Sequence, residues 1–354
     1  MPDDGREGAD TGRAGGNADR AGDDAGPDPF DAFRQLRALP GDVLVLSLAM
    51  FAFSLGFQAT GRYLPQYLAV LGASSLALGA YGSLGNLISA VFPYPGGALS
   101  DRLGSRTSLT LFGLASTLGF LVWWAADPFR TVAIGSTNLA VVMVFLGLFL
   151  SQAWKSFGLG ATFAIVKQSV SPDRLASGFA ATETFRRTAF LLGPLLVAAV
   201  LSVYAFTEGF RLVLLGAAVV GGIATVAQFA LYDASNDSLG KSFGGVAMVV
   251  EDLRSLPDTL RPLLVGDTLV RFANGMVYVF FVRVVVDVLA VGATLPVVGD
   301  LSPEAYFGVL LGIEMAVALL TMVPVARLAR SVGLKPVVAL GFAVYAVFPA
   351  MLIF

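Results

Sequence analysis

The sequence predicts an all-α membrane protein that crosses the bilayer nine times, and three observations carry that expectation. The chain has 354 residues, of which 56% are hydrophobic and 14% charged, with a mean hydropathy of +0.76. A soluble domain is about 45–50% apolar and about 25% charged. The apolar residues fall into runs near or above the roughly 20 residues a bilayer-spanning helix needs. Lys and Arg gather in alternate connections between those runs, the pattern left by membrane insertion.

Residues 1–38 open the chain and are of another kind. Asp3, Asp4, Glu7, Asp10, Asp19, Asp23, Asp24 and Asp28 are set among Gly and Ala with almost no apolar content. Such a stretch buries too little surface to offset its ordering entropy and is expected to be disordered. It lacks the basic start of a signal peptide. Span one then runs from Asp42 to Pro65, span two from Leu76 to Leu99 and span three from Ser108 to Ala126. Span four covers Leu139 to Val166, span five Leu175 to Tyr204 and span six Phe210 to Tyr232, so residues 39–232 make a six-helix bundle.

Residues 233–262 form the longest internal connection. Val246, Val249, Val250 and Leu253 recur there at helical spacing opposite Glu251, Asp252 and Arg254, as in a short helix lying on the membrane surface. Span seven then runs from Leu263 to Leu289, span eight from Tyr306 to Ala326 and span nine from Pro336 to Phe354. Residues 263–354 are thus three helices of a second bundle. With the N-terminus in the cytoplasm, the cytoplasmic segments hold Arg34, Arg37, Arg102, Arg106, Lys167, Arg174, Lys241, Arg254, Arg261, Arg327, Arg330 and Lys335. The other side holds little beyond Arg62, Arg130, Arg211 and Arg283, so the N-terminus is expected inside.

The second part reads as a copy of the first. Displaced by 229 positions, Gly79 falls on Gly308, Pro95 on Pro324, Leu99 on Leu328, Gly104 on Gly333 and Arg106 on Lys335. Internal repeats of this kind are common in transporter folds.

Between spans two and three stands Gly97-Ala98-Leu99-Ser100-Asp101-Arg102-Leu103-Gly104-Ser105-Arg106. Gly97 permits close helix contact, Gly104 a tight turn, and Asp101, Arg102 and Arg106 charge-assisted hydrogen bonds. In spacing and position this loop resembles the signature loop of the major facilitator superfamily (MFS), and the resemblance extends over the membrane portion, from Asp42 to Phe354. It implies an MFS-type helical bundle, here with a six-helix N-terminal half and a three-helix C-terminal half. The three charged residues would then latch the two halves together on the cytoplasmic side. Gly193-Pro194 in span five resembles the Gly-Pro element of the family's exporters, although Ala189, Val197 and Ala198 replace its flanking glycines. Gly158-Leu159-Gly160-Ala161 resembles the family's Gly-x-Gly pattern in span four, with Lys155 near but out of register with the expected Arg. The family usually has twelve spans, so the chain is expected to be truncated after its ninth.

Ionisable residues inside spans are costly and therefore candidates for function. Asp267 with Arg271 and Arg283 with Asp287 stand four apart and can neutralise each other along one helix. Glu183, Arg186 and Arg187 share one face of span five, and one acid cannot balance two guanidinium groups. Glu314 stands half-way across span eight with no basic neighbour. Because spans five and eight face each other in the resembled family, Glu314 is expected to pair with Arg186 or Arg187 in one of the alternating states. Lys155 in span four either meets substrate in the central cavity or bridges to Glu183. Gln58 and Arg62, with Tyr63 and Tyr67, sit toward the outer end of span one, where Arg62 either faces the cavity or snorkels to the surface.

These charges leave an excess of positive groups, which favours an anionic substrate, and make Glu183 and Glu314 the mid-membrane carboxylates able to carry a coupling proton. Gly79, Gly82 and Gly85 of span two are spaced as a helix-packing surface, not a nucleotide loop, and no ATPase-type phosphate loop is present. The chain has no Cys and no His, which removes thiol and imidazole chemistry and their metal sites. The resemblance implies secondary transport of a small solute across the plasma membrane by alternating access, with no cofactor, no ATP and no nucleic-acid partner. The bilayer and the solute would be its partners. A non-transporting relic or membrane sensor is the alternative, and an integral membrane enzyme the more distant one.

Overall fold

The computed structural model describes residues 41–158, 175–233, 254–258, 260–295 and 299–351. The acidic tail, most of the 233–262 connection and the end of span four lie outside the described residues.

Span one is helix α1, Gly41–Gly61, followed after a turn at Arg62–Tyr63 by α2, Leu64–Val70. The break has a local cause, since Pro65 has no N–H to give and its ring meets the carbonyl of Gly61 one turn back. The span therefore continues past the Pro65 expected as its end. Span two is α3, Ser75–Val91, capped by Ser74, and α4, Pro93–Leu103, which starts at a proline. Gly104 ends α4 at φ +82°, and α5, Ser105–Trp124, begins at once.

A hairpin of β1, Ala133–Ile134, and β2, Thr137–Asn138, leads into α6, Leu139–Ala153, capped by the Asn138 side chain. Span four continues as a π-helical turn over Trp154–Gly158. Then come α7, Leu175–Leu201, and α8, Phe206–Leu231. Helix α9, Arg261–Arg283, runs into a second π turn, Val284–Val288. A hairpin of β3, Ala293–Leu295, and β4, Gly299–Leu301, precedes α10, Pro303–Val332, and α11, Leu334–Met351.

Seven helices among the described residues are long and apolar enough to cross a membrane, and Ser75–Val91 and Leu334–Val347 are shorter apolar helices. Both β-hairpins lie at one end of the bundle, and the Gly97–Arg106 loop lies at the other. We call these the hairpin end and the loop end. Gly333 closes α10 at φ +89°, ψ 161°, beside the +82°, 153° of Gly104, so the two positions related by the 229-residue shift share one conformation.

Close backbone approach packs the first bundle. A Cβ on Gly119 of α5 would lie 2.5 Å from Ser151 N and 2.9 Å from Gly147 O of α6. The Trp123 ring covers Gly147, and its indole N–H donates to Val144 O at 2.8 Å. Gly193 of α7 sits against α1, where a Cβ would come within 3.1 Å of Ala59 N. Gly119→Val is therefore expected to lower the melting temperature in detergent sharply, because overpacking costs about 1–3 kcal/mol or more and both obstructing atoms are backbone. Gly216→Ala, with nothing within 4 Å of its added methyl, should hold or raise that temperature, since Ala is favoured over Gly in a helix by about 0.5–1 kcal/mol.

Candidate functional site

Depth in the membrane can be read from the helix breaks. Asn138 donates its side-chain amide to Leu71 O at 2.7 Å, which sets Leu71 level with the start of α6. Arg62 then lies roughly 13 Å below that level at 1.5 Å per residue. It does not stand at the end of span one, which runs a turn and a half past Pro65. Its guanidinium lies over the Tyr278 ring of α9, 4.1 Å from the centroid. Tyr278 lies close to Tyr345 of α11, whose hydroxyl is also within electrostatic reach of Arg62 and of Glu314 on α10. Four helices thus place a cation, two phenols and a carboxylate in one layer near mid-depth.

Lys155 faces the same space. Its neighbours in the π turn are buried, Trp154 by stacking on Phe53 at 4.5 Å and Ser156 at 7% exposure. Lys155 itself is accessible although protein surrounds it on most sides, and it is within electrostatic reach of Arg62. It does not pair with Glu183. That carboxylate holds Arg186 at 2.7 Å and Arg187 at 3.7 Å along its own helix. The expected pair between Glu314 and a span-five Arg is accordingly not made in this conformation. No ion pair of Glu314 or Lys155 within 4.0 Å occurs among the described residues. The side-chain oxygen of Asn274, one turn before Tyr278, is buried with no hydrogen-bond partner.

The two parts of the chain meet along a seam that runs from the hairpin end to mid-depth. Tyr63 Oη donates to Glu304 O at 3.0 Å, and the Tyr63 ring meets Phe307 edge-on at 5.4 Å. Gln66, buried in α2, donates to Asp287 at 3.1 Å and accepts from Arg283 at 3.5 Å, while Arg283 and Asp287 pair at 2.7 Å. Glycines let the backbones close. Gly82 lies under Val279, Gly308 under Tyr63 and Pro194, and Gly312 under Leu195. Gly79 and Gly82 face α9, whereas Gly85 faces Leu148 and Gln152 in its own bundle, so the span-two glycines serve two interfaces. Toward the loop end the seam parts, and from Val317 to Val332 every residue of α10 but Leu319 and Ala329 is exposed. Among the described residues the two parts are closed on each other at the hairpin end, and α10 is uncovered toward the loop end.

In the loop, Gly97 and Asp101 belong to α4, and the Asp101 side chain lies outside the part the structure describes. Arg102 is exposed. Arg106 donates to Phe229 O at 2.8 Å and stacks over the Phe229 ring at 4.5 Å, contacts that tie it to α8 of its own bundle. Gln58 is half-buried with its Cβ against Gly193. Asp267 and Arg271 pair at 2.6 Å, as their spacing predicts.

Sequence reasoning missed Tyr278, Tyr345, Asn274 and Gln66. Aromatic and amide side chains in apolar runs look like packing, and only the cations facing them give them meaning.

Comparison with known proteins agrees with this architecture. The family described as Major Facilitator Superfamily matches over residues 6–153 and 46–354. No curated protein sequence matches the chain. Among solved structures, a crystal structure of a point mutant of the peptide transporter POT, in complex with alafosfalin, is similar at a TM-score of 0.51 and 16% identity. The match covers 86% of this chain and 73% of that one. The chain is a multi-pass, all-α membrane protein that belongs to the Major Facilitator Superfamily of transporters.

Proposed function

We propose that the chain carries a small anionic solute across the plasma membrane by alternating access, driven by an ion gradient. One observation carries the anionic reading: Lys155 and Arg62 come within electrostatic reach of each other in a cleft between the two parts of the chain. Among the described residues neither cation has a carboxylate within 4.0 Å, and two such cations attract an anion into a cleft of low-dielectric walls, where the field is focused. Arg62 stays planar and oriented on Tyr278, a geometry suited to a carboxylate or phosphate. Tyr345 and Asn274 add polar groups for the rest of the solute.

Glu314 is the carboxylate left to carry a coupling proton, because Glu183 is engaged by two guanidinium groups. With the N-terminus in the cytoplasm, as the Lys and Arg distribution favours, the loop end is cytoplasmic and the cleft faces inward. The bundles would rock about the mid-depth layer, opening the seam at Tyr63, Gln66 and Gly308 as the loop end closes.

Purified protein in liposomes tests this. Small carboxylates and phosphates should exchange across the bilayer, and an imposed proton gradient should drive accumulation that a protonophore abolishes. A peptide, the solute class named for the similar POT structure, belongs in the same panel. Exchange of neutral or cationic solutes alone would overturn the anionic reading. A folded protein that moves no solute would favour the sensor or relic.

A further inference from the structure

Lys155 is aimed into the cleft by a π turn, and the turn has a visible cause on the neighbouring helix. In a regular α-helix the Trp154 N–H would bond to Leu150 O, and Ser151 O would accept from Lys155 N–H. Here Ser116 of α5, fully buried, cuts into that ladder. Its hydroxyl donates to Ser151 O at 2.7 Å and accepts from Trp154 N–H at 2.9 Å, with Leu150 O at 3.4 Å. A hydroxyl has one donor and two acceptor lone pairs, so it serves the Ser151 carbonyl and the Trp154 N–H at once. Insertion of a side chain into the helix ladder is a known origin of bulges and kinks.

The insertion is possible because α5 and α6 touch backbone to backbone one turn away, at Gly119, Gly147 and Ser151. Its consequence falls on Lys155. Lys155 is the second residue of the widened turn, so its direction is set by where that turn begins. In the observed register Trp154 and Ser156 are buried and Lys155 points into the space shared with Arg62.

The geometry points to Ser116 as a positioning residue. It touches no part of the cleft, yet it sets the register that presents the Lys155 ammonium to an anion there. This inference rests on the proposed function for its meaning, but its geometry can be tested without any transport.

The chain contains no Cys, so Lys155→Cys gives a single thiol. In liposomes or detergent, that thiol should react with small water-soluble thiosulfonates. An anionic reagent should react about tenfold faster than a cationic one of equal size, because the Arg62 charge is within electrostatic reach of position 155 and a focused field raises local concentration about 10-fold or more. In Ser116→Ala with Lys155→Cys, the rate should fall at least tenfold and the charge preference should vanish. Ser116→Thr, which keeps the hydroxyl, should restore both. A general loss of folding would lower the labelled fraction without erasing the charge preference of the molecules that remain.

Where Ser116→Ala does not fold, Thr and Val at position 116 are compared, equal in size and different only in the hydroxyl. Unchanged rate and charge preference in Ala, or equal values for Thr and Val, would overturn the assignment. Flux is measured separately on Ser116→Ala with Lys155 intact. A chain that transports normally while labelling shifts leaves the role of Ser116 standing and removes the anion-binding role of Lys155. A chain that never transports, with labelling as expected, removes only the proposed function.

Discussion

Gly308→Leu is expected to abolish solute flux while leaving the chain folded. A Cβ at position 308 would lie 2.5 Å from Tyr63 Oη, 2.8 Å from Pro194 O and 2.9 Å from Ala198 Cβ. Tyr63 is fully buried and Pro194 O is backbone, so neither neighbour can move aside within the closed seam. Separating α10 from α7 relieves the clash, and that separation is the opening of the hairpin end. Overpacking of about 1–3 kcal/mol shifts a two-state equilibrium about 5–150-fold.

Ala305→Cys provides the readout, since Ala305 is fully buried at the hairpin end of α10 and the chain has no other thiol. The thiol should be nearly inert in the parent and react at least tenfold faster beside Gly308→Leu. Unchanged labelling together with unchanged flux would show that the hairpin end does not open during transport. The same seam explains why Gln66 is worth burying. Its amide completes the Arg283–Asp287 pair across the two bundles, and separation leaves that ion pair intact within α9 and its π turn.

Much of this architecture was legible because lipid demands uniformity. A spanning helix must be apolar for about 20 residues, and among the described residues seven of the apolar runs coincide with helices long enough to cross a membrane, while the second and ninth fall on shorter ones. The 229-residue repeat was legible because Gly104 and Gly333 both need positive φ, which glycine adopts without strain. Span one was misjudged because Pro65 reads as a terminus, whereas here it starts a second helix in the same span. The pair expected between Glu314 and a span-five Arg is not made in this conformation, and the reason is energetic. Arg186 and Arg187 reach Glu183 along their own helix, three and four residues on, and such local pairs need no meeting of two distant helices. The π turn at Lys155 was invisible because it is written on another helix, in the hydroxyl of Ser116.

Lys155→Gln is expected to raise the KM for an anionic solute about 30-fold or more, since unpairing a buried charge contact costs about 2–5 kcal/mol. Gln keeps most of the length and the polarity of the side chain and removes the charge. A neutral analogue of the same solute should lose far less, and the ratio of the two effects separates electrostatic attraction from damage to the fold. Glu314→Gln should behave differently. If Glu314 carries the coupling proton, the variant still exchanges solute across the bilayer at equal pH, but an imposed proton gradient no longer drives accumulation. Accumulation that persists in Glu314→Gln would move the proton to another carboxylate or the coupling to another ion. An unchanged anion KM in Lys155→Gln would leave Arg62, held flat on Tyr278, as the cleft's single recognition charge. The two variants thus divide the site by role, because attraction depends on a charge that stays and coupling on one that comes and goes.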